Sequence, residues 1–110
     1  MSKGKAVIVG VADAPLKDGM IPGGASPLAV QARCAKDALT EAGLTLKDVD
    51  GLLVAGMWGN PGPGMLPTVT LSEYLGIRPR FSDGTNIGGS AFELHVGHAA
   101  LAIEQGLCDV

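Results

Sequence analysis

The chain alternates between short apolar runs and longer stripes of apolar residues with helical spacing. Its first run, AVIVGV over Ala6–Val11, is continuous and contains no polar side chain. A continuous apolar run of this length is typical of a strand that is buried on both faces. A long loop is expected after this strand, roughly over residues 12–25.

The segment after this loop carries the signals of a helix. Ser26 and Pro27 have the residue types preferred at an N-cap and at the first helical position. Apolar residues then recur at three- and four-residue steps, as on one face of a helix: Leu28, Ala32, Ala35, Leu39 and Ala42. Gly43 supplies a stop, so the pattern predicts a helix over 26–42.

The middle of the chain predicts a second strand, a loop and a shorter helix. Leu52–Ala55 is another short apolar run and indicates a buried strand. The glycine- and proline-rich segment Met57–Leu66 predicts a loop, in which Trp58 either lines a substrate pocket or packs in a rigid surface loop. The next helix is expected over Pro67–Leu75, with Gly76 as its end.

The last third predicts an extended piece over Arg78–Ser82 and a long helix over Gly89–Gln105 that Gly106 ends. Strands and helices thus alternate along the chain, which indicates an α/β layered domain with a mostly parallel sheet. The chain reaches Val110 where the next strand of this pattern should begin. Residues 1–110 are therefore expected to be the N-terminal, incomplete part of a longer domain.

Composition and charge exclude several classes of protein. The formal net charge is −3 and the basic residues are scattered, so no basic patch for nucleic acid is expected. No apolar run approaches the ~20 residues of a membrane span, and the N-terminus lacks a signal-peptide pattern, which favours a cytoplasmic protein. Cys34 and Cys108 lack metal-ligand spacing and are expected to be small buried apolar residues.

The turn Thr85–Ser90 is the strongest candidate site. It leads into a helix, and a helix N-terminus presents unpaired N–H groups that hold a carboxylate, a phosphate or an oxyanion. Gly88 and Gly89 would let a ligand approach the backbone. The alternative is a capped helix start with two glycines for tight packing. Gly10 alone does not make a dinucleotide turn, so NAD is not expected.

The helix after this turn contains four further candidates. Ser90 is a poor candidate nucleophile, because the two histidines, His95 and His98, are not well placed to act as its base. His95 and His98 share a helix face and either bind a metal or form a hydrogen-bonded pair at a subunit contact; the second interpretation is preferred and no metal site is expected. Glu93 is a candidate buried carboxylate or faces a partner subunit.

Four segments together resemble the thiolase superfamily, particularly its sterol-carrier-protein-type thiolase-like branch: AVIVGVADAP, ALTEAGLTLKDVDGLLVAG, LSEYLGIRPR and HAALAIEQGLCDV. Their order and spacing cover nearly the whole chain. The resemblance implies a mostly parallel central sheet with helices on both faces and a buried helix after the nucleophile turn. It also implies a homodimer that forms through the strand near Arg80–Asp83.

The reactive cysteine of that family falls on Gly89 in this chain, whereas the family's upstream asparagine is present as Asn86. The resemblance therefore implies an enzyme without the usual thioester nucleophile, with Ser90 as the one substitute at this turn. Asn86, Gly88, Gly89 and Ser90 are then the expected substrate-binding residues. The family's catalytic histidines and second cysteine lie beyond residue 110, so the catalytic base is not among these residues.

Certain thiolase-like proteins of steroid side-chain breakdown also lack the cysteine. They act as retro-aldolases on β-hydroxyacyl-CoA thioesters, together with a DUF35 (OB-fold) partner protein. The resemblance thus implies carbon–carbon cleavage of a β-hydroxyacyl-CoA in lipid or steroid side-chain degradation, with coenzyme A present only as part of the substrate and no other cofactor. Two alternatives stay open, namely a thiolase-type acyltransferase and a non-catalytic thiolase-fold subunit.

Overall fold

The structure, a computed structural model, describes residues 5–56 and 66–110. Within these ranges the chain forms three α-helices and two strands: α1 (Pro27–Ala42), β1 (Gly51–Leu53), α2 (Pro67–Leu75), β2 (Phe81–Asp83) and α3 (Ala91–Glu104). The two strands pair in parallel, with Gly51 opposite Phe81. The domain is therefore α/β with parallel pairing, as the alternating pattern predicts, and it is compatible with a thiolase-like layered fold.

The predicted ends of α1 and α2 are confirmed to within one residue. The hydroxyl of Ser26 accepts a hydrogen bond from the N–H of Ala29 at 3.2 Å and caps α1. Gly43 and Gly76 follow the two helices with φ of 73° and 72°, the left-handed conformation of a helix stop.

The core lies between α1, α2 and the strand β1. Its buried members are small or aliphatic, in keeping with an aromatic content of 4%: Ala32, Val54, Leu71, Leu75 and Ile77. Leu28 and Leu52 pack against this cluster, so the part of the predicted apolar stripe of α1 that contains Leu28 and Ala32 faces the core.

The strand predicted over Ala6–Val11 is wrong. This segment has no strand conformation, and Val7 and Ile8 are each 74% exposed. A strand needs backbone partners, and none of the described residues forms a ladder with this segment. The segment lies against α1 at Gly10, where an added Cβ would be 2.1 Å from the carbonyl oxygen of Ala38.

The last residues of the chain lie along the edge of β1 that faces away from β2. The carbonyl oxygen of Val110 accepts hydrogen bonds from the N–H groups of Asp50 and Gly51, at 3.0 and 2.9 Å. β1 bonds to β2 through the carbonyl of Asp50 and the N–H of Val54. Because alternate residues of a strand point their backbone groups to opposite edges, the N–H of Gly51 faces the other edge, where Val110 lies.

The side chain of Asp50 connects the C-terminal residues to Arg80, which precedes β2. One carboxylate oxygen accepts hydrogen bonds from the N–H groups of Asp109 and Val110, both at 2.9 Å, and the other accepts one from the guanidinium of Arg80 at 2.8 Å. Burial raises the pKa of Asp50, but the bonds from Val110, Arg80 and Asp109 outweigh it and leave the pKa below its ordinary value.

Three smaller expectations also need correction. Cys108 is buried, as predicted, and burial raises the pKa of its thiol, but Cys34 is only half-buried. Glu93 is exposed, so it is not a buried carboxylate within this chain. The helix α3 is buried along one face rather than all round, because Phe92 is 46% exposed and Leu101 59%.

None of the helices in 5–56 and 66–110 has the length and apolar character that a membrane crossing requires.

Candidate functional site

The turn between β2 and α3 starts from a fixed carboxylate. Asp83, the last residue of β2, accepts hydrogen bonds at Oδ1 from the N–H of Thr85 at 2.8 Å and from its hydroxyl at 2.6 Å. The other oxygen, Oδ2, contacts Nδ1 of His98 on α3. The Thr85 hydroxyl is the main cause that lowers the pKa of Asp83 to about 2; burial opposes it, and the Thr85 N–H and His98 add to it.

A second bond holds the same turn from α3. Nε2 of His95 lies 2.8 Å from the carbonyl oxygen of Thr85. His95 is 5% exposed, and its ring stands edge-on to Phe92 with the ring centres 5.9 Å apart. The N–H, the hydroxyl and the carbonyl of Thr85 are therefore all bonded, so the start of the turn is fixed on both sides.

The part of the turn that the sequence predicts to bind substrate is open to solvent. Asn86 is exposed, and its Oδ1 accepts a hydrogen bond from the N–H of Gly88 at 3.1 Å. The Asn86 amide nitrogen is 3.4 Å from the position that a Cβ on Gly56 would take, so the turn lies beside the segment that follows β1. Gly88 has φ of 89°, a left-handed conformation that favours glycine.

Gly89, the position that resembles the family's cysteine, has room for a side chain. None of the described residues outside its chain neighbours lies within 4 Å of the place where its Cβ would be, and its φ is outside the left-handed region. The backbone therefore does not require glycine here, in contrast to Gly88. What Gly89 contributes is the absence of a side chain at the N-terminus of α3.

Ser90 precedes α3 and is exposed, and its hydroxyl makes no capping hydrogen bond. His95 and His98 bond to Thr85 and Asp83, so neither ring is held toward Ser90. These bonds also replace the expected histidine pair, since each histidine pairs with the strand end or turn and not with the other. Among the described residues, no cluster of three or more His, Cys, Asp or Glu side chains could hold a metal ion.

Sequence reasoning missed Asp83 and Thr85 as the residues that anchor the turn. The signal was present, because an Asp two residues before a Thr in a glycine-containing segment is typical of an Asx-type turn. The contribution of the two histidines could not be predicted, since it depends on how α3 packs against β2. The expectation for Trp58 falls on residues 57–65, outside the described part of the chain.

A shallow apolar groove lies next to the Asp83–His98 contact, between β2 and the C-terminal half of α3. Its volume is about 240 Å³, and Phe81, Leu101 and Leu107 are among its lining residues together with Asp83 and His98. Among the described residues, β2 pairs with β1 on one side only, so its other edge is open.

Fold and site together define an α/β domain in which a polar turn connects a parallel strand to the N-terminus of a helix with an apolar buried face. No family model matches the chain. A 17-hydroxy-3-oxo-4-pregnene-20-carboxyl-CoA lyase of Mycobacterium tuberculosis is 33% identical to it over 110 residues, which are the whole of this chain and 26% of that protein. The chain thus spans about a quarter of the length of a relative that is a lyase named for a CoA thioester.

Proposed function

We propose that the chain is part of a lyase that breaks a carbon–carbon bond β to a CoA thioester by a retro-aldol reaction. The observation that carries this proposal is the similarity of all 110 residues to the mycobacterial lyase. That protein's name places a hydroxyl on C17 and the CoA-bearing carboxyl on C20, the neighbouring carbon. The hydroxyl is therefore β to the thioester carbonyl, which is the arrangement that a retro-aldol cleavage requires.

The reaction needs no covalent nucleophile. A base removes the proton of the β-hydroxyl, and the oxygen forms a carbonyl as the bond between the α and β carbons breaks. The electron pair of that bond passes to the thioester as an enolate, which is then protonated at the α carbon. The products are a ketone or aldehyde and a shortened acyl-CoA. A glycine in place of the reactive cysteine, as at Gly89, is compatible with this chemistry.

In this proposal the turn binds the thioester. The N–H groups at the N-terminus of α3 stabilise the oxygen on which the enolate charge develops. Asn86 and Gly88 shape the approach to these groups, and Ser90 adds an exposed hydroxyl beside them. The space at Gly89, which no side chain of the described residues fills, takes up a bulky acyl group next to the helix end. The proposal that the acyl group is of lipid or steroid type rests on the mycobacterial relative alone.

Two substrates separate this function from its alternatives. The natural gene product is incubated with a β-hydroxyacyl-CoA, and separately with a β-ketoacyl-CoA and free CoA. Release of a ketone or aldehyde from the first supports the lyase. CoA-dependent cleavage of the second shows a thiolase-type acyltransferase and contradicts the role given to Gly89. No reaction in either case, together with a stable complex with another protein, shows a non-catalytic subunit.

We also propose a homodimer that forms through the outer edge of β2. The N–H of Phe81 and the carbonyl of Asp83 bond to β1, so the backbone groups of Ser82 face outward. An antiparallel pair of two copies would place Ser82 opposite its own copy. Ser82→Pro removes the outward N–H without breaking the bonds to β1 and should give monomers by light scattering, whereas Ser82→Ala should stay dimeric. A dimeric S82P protein with native circular dichroism would contradict this interface.

A complex with a DUF35 (OB-fold) protein is part of the same proposal, since the family members without the cysteine work with such a partner. The test is co-expression of the natural gene product with a DUF35 protein encoded in the same genome. Co-purification at a fixed ratio supports the complex, and full lyase activity of the unaccompanied protein contradicts a need for it.

A further inference from the structure

Thr85 is the residue at which α3 holds the turn that precedes it. Its N–H and hydroxyl donate to Asp83 at 2.8 and 2.6 Å, and its carbonyl oxygen lies 2.8 Å from Nε2 of His95. The backbone then runs through Asn86 and Gly88, whose own hydrogen bond closes the next part of the turn. The Thr85 carbonyl belongs to the peptide group that leads into Asn86, the first residue of the proposed thioester site.

The bond between His95 and Thr85 has one possible direction. A carbonyl oxygen only accepts, so Nε2 of His95 carries the proton and donates it. The other ring nitrogen, Nδ1, is buried without a hydrogen-bond partner among the described residues. An apolar side chain of similar size would fill the same space without leaving a buried nitrogen unpaired. The N–H donated to Thr85 is thus what a histidine adds at this position.

We propose that His95 is a positioning residue for the substrate turn. By holding the Thr85 carbonyl, its Nε2–H sets the direction of the Asn86 side chain and of the N–H groups of Gly88 and Gly89. The ring acts through the backbone. The consequence for catalysis rests on the proposed function, whereas the control of the turn's geometry does not. Donors stabilise a developing oxyanion only at hydrogen-bond distance, so a displaced turn lowers kcat more than it changes KM.

Two variants of nearly equal length test the bond itself. His95→Gln keeps an N–H donor near the position of Nε2, and His95→Met replaces it by an apolar chain. In the natural gene product with a β-hydroxyacyl-CoA, H95M should lose roughly tenfold to a hundredfold in kcat/KM, mainly through kcat, and H95Q should recover most of this loss. An equal loss in both folded variants would show a packing role and overturn the proposal.

A second readout needs no substrate. Nitrogen NMR of the unsubstituted protein should show His95 with its proton on Nε2, and the amide signals of Gly88 and Gly89 should move in H95M and return in H95Q. A ring without a proton on Nε2, or glycine signals unchanged in H95M, would overturn the proposal. If H95M does not fold, the position of the His95 ring proton in the unsubstituted protein tests the proposal. If the signals behave as expected but no thioester is cleaved, the proposed function fails and the positioning role stands.

Discussion

At the scale of single residues, Gly89 is the position on which the proposed chemistry rests. None of the residues that the structure describes would block a side chain there, and the backbone conformation does not demand glycine. The chain thus keeps the helix N-terminus and the upstream Asn86 of the family it resembles, but it lacks the thiol. An electrostatic site without a nucleophile suits cleavage through an enolate better than acyl transfer through a covalent thioester.

A cysteine introduced at this position should be unusually reactive. In Gly89→Cys the thiol lies at the N-terminus of α3, where the helix dipole lowers its pKa. We expect it to react with iodoacetamide at pH 7 roughly threefold to tenfold faster than the thiol of Gly97→Cys. Gly97 is the matched control, because it is exposed in the middle of the same helix and its Cβ position is equally open. Equal rates, after correction for Cys34 and Cys108, would contradict an electropositive helix end.

The carboxylate of Asp83 should make the turn sensitive to acid. Its pKa is about 2 in the folded chain against an ordinary 3.8, so its stabilising effect is complete above about pH 4 and is lost as the pH falls through 3.8 towards 2. The side chain is 16% exposed, and the loss should amount to at most about 2 kcal/mol. Asp83→Asn should remove this part of the pH dependence when urea unfolding is compared at pH 2, 4 and 6. If the free energy of unfolding of D83N falls in acid as much as that of the unsubstituted protein, other carboxylates cause the loss.

At the scale of elements, helix ends were predictable and strand ends were not. α1 and α2 begin and end where Ser26, Pro67 and the two glycine stops place them. The predicted strands shifted to Gly51–Leu53 and Phe81–Asp83, and α3 starts at Ala91 instead of residue 89. A helix end is satisfied by groups within four residues, which the local sequence shows. A strand end depends on a partner that lies about thirty residues away in the chain.

The cap of α1 provides a test at this scale. Ser26→Ala removes the acceptor for the N–H of Ala29, so the free energy of unfolding should fall by about 1 kcal/mol. Ser72→Ala is the contrast, because the Ser72 hydroxyl donates to the carbonyl of Thr68 inside α2, where alanine is the better helix former. In urea unfolding, the free energy of unfolding of S26A should be clearly lower than that of S72A. The reverse order would show that the cap contributes little here.

At the scale of the whole molecule, contacts between distant segments hold the C-terminal residues and the segment around Gly10. Asp50 joins Arg80 of the strand region to Asp109 and Val110. Gly10 lies against the backbone of α1 near Ala38 and connects the N-terminal segment to the helical layer. The large apolar side chains of residues 7–11 stay exposed, so this segment contacts α1 but is not part of the core.

A side chain at Gly10 should push the N-terminal segment away from α1. A Cβ there would lie 2.1 Å from the Ala38 carbonyl oxygen, which cannot move without distorting α1. We therefore expect Gly10→Ala to lower the free energy of unfolding by about 1–3 kcal/mol, measured by urea unfolding. Gly97→Ala, in the open middle of α3, should instead raise it by about 0.5–1 kcal/mol. A neutral G10A would show that the N-terminal segment is not held at this point.

The sequence by itself determined the three helices, the ends of α1 and α2, the α/β class and the turn that leads into α3. These features depend on residue types within one or two turns of the chain, so periodicity and end signals are sufficient to find them. Only the tertiary structure decided which apolar runs pair as strands, that His95 and His98 hold the strand end and the turn, and that no described residue crowds the Cβ position of Gly89. Each of these depends on segments that meet only after packing, because strand pairing and buried hydrogen bonds are satisfied by partners far apart in the chain.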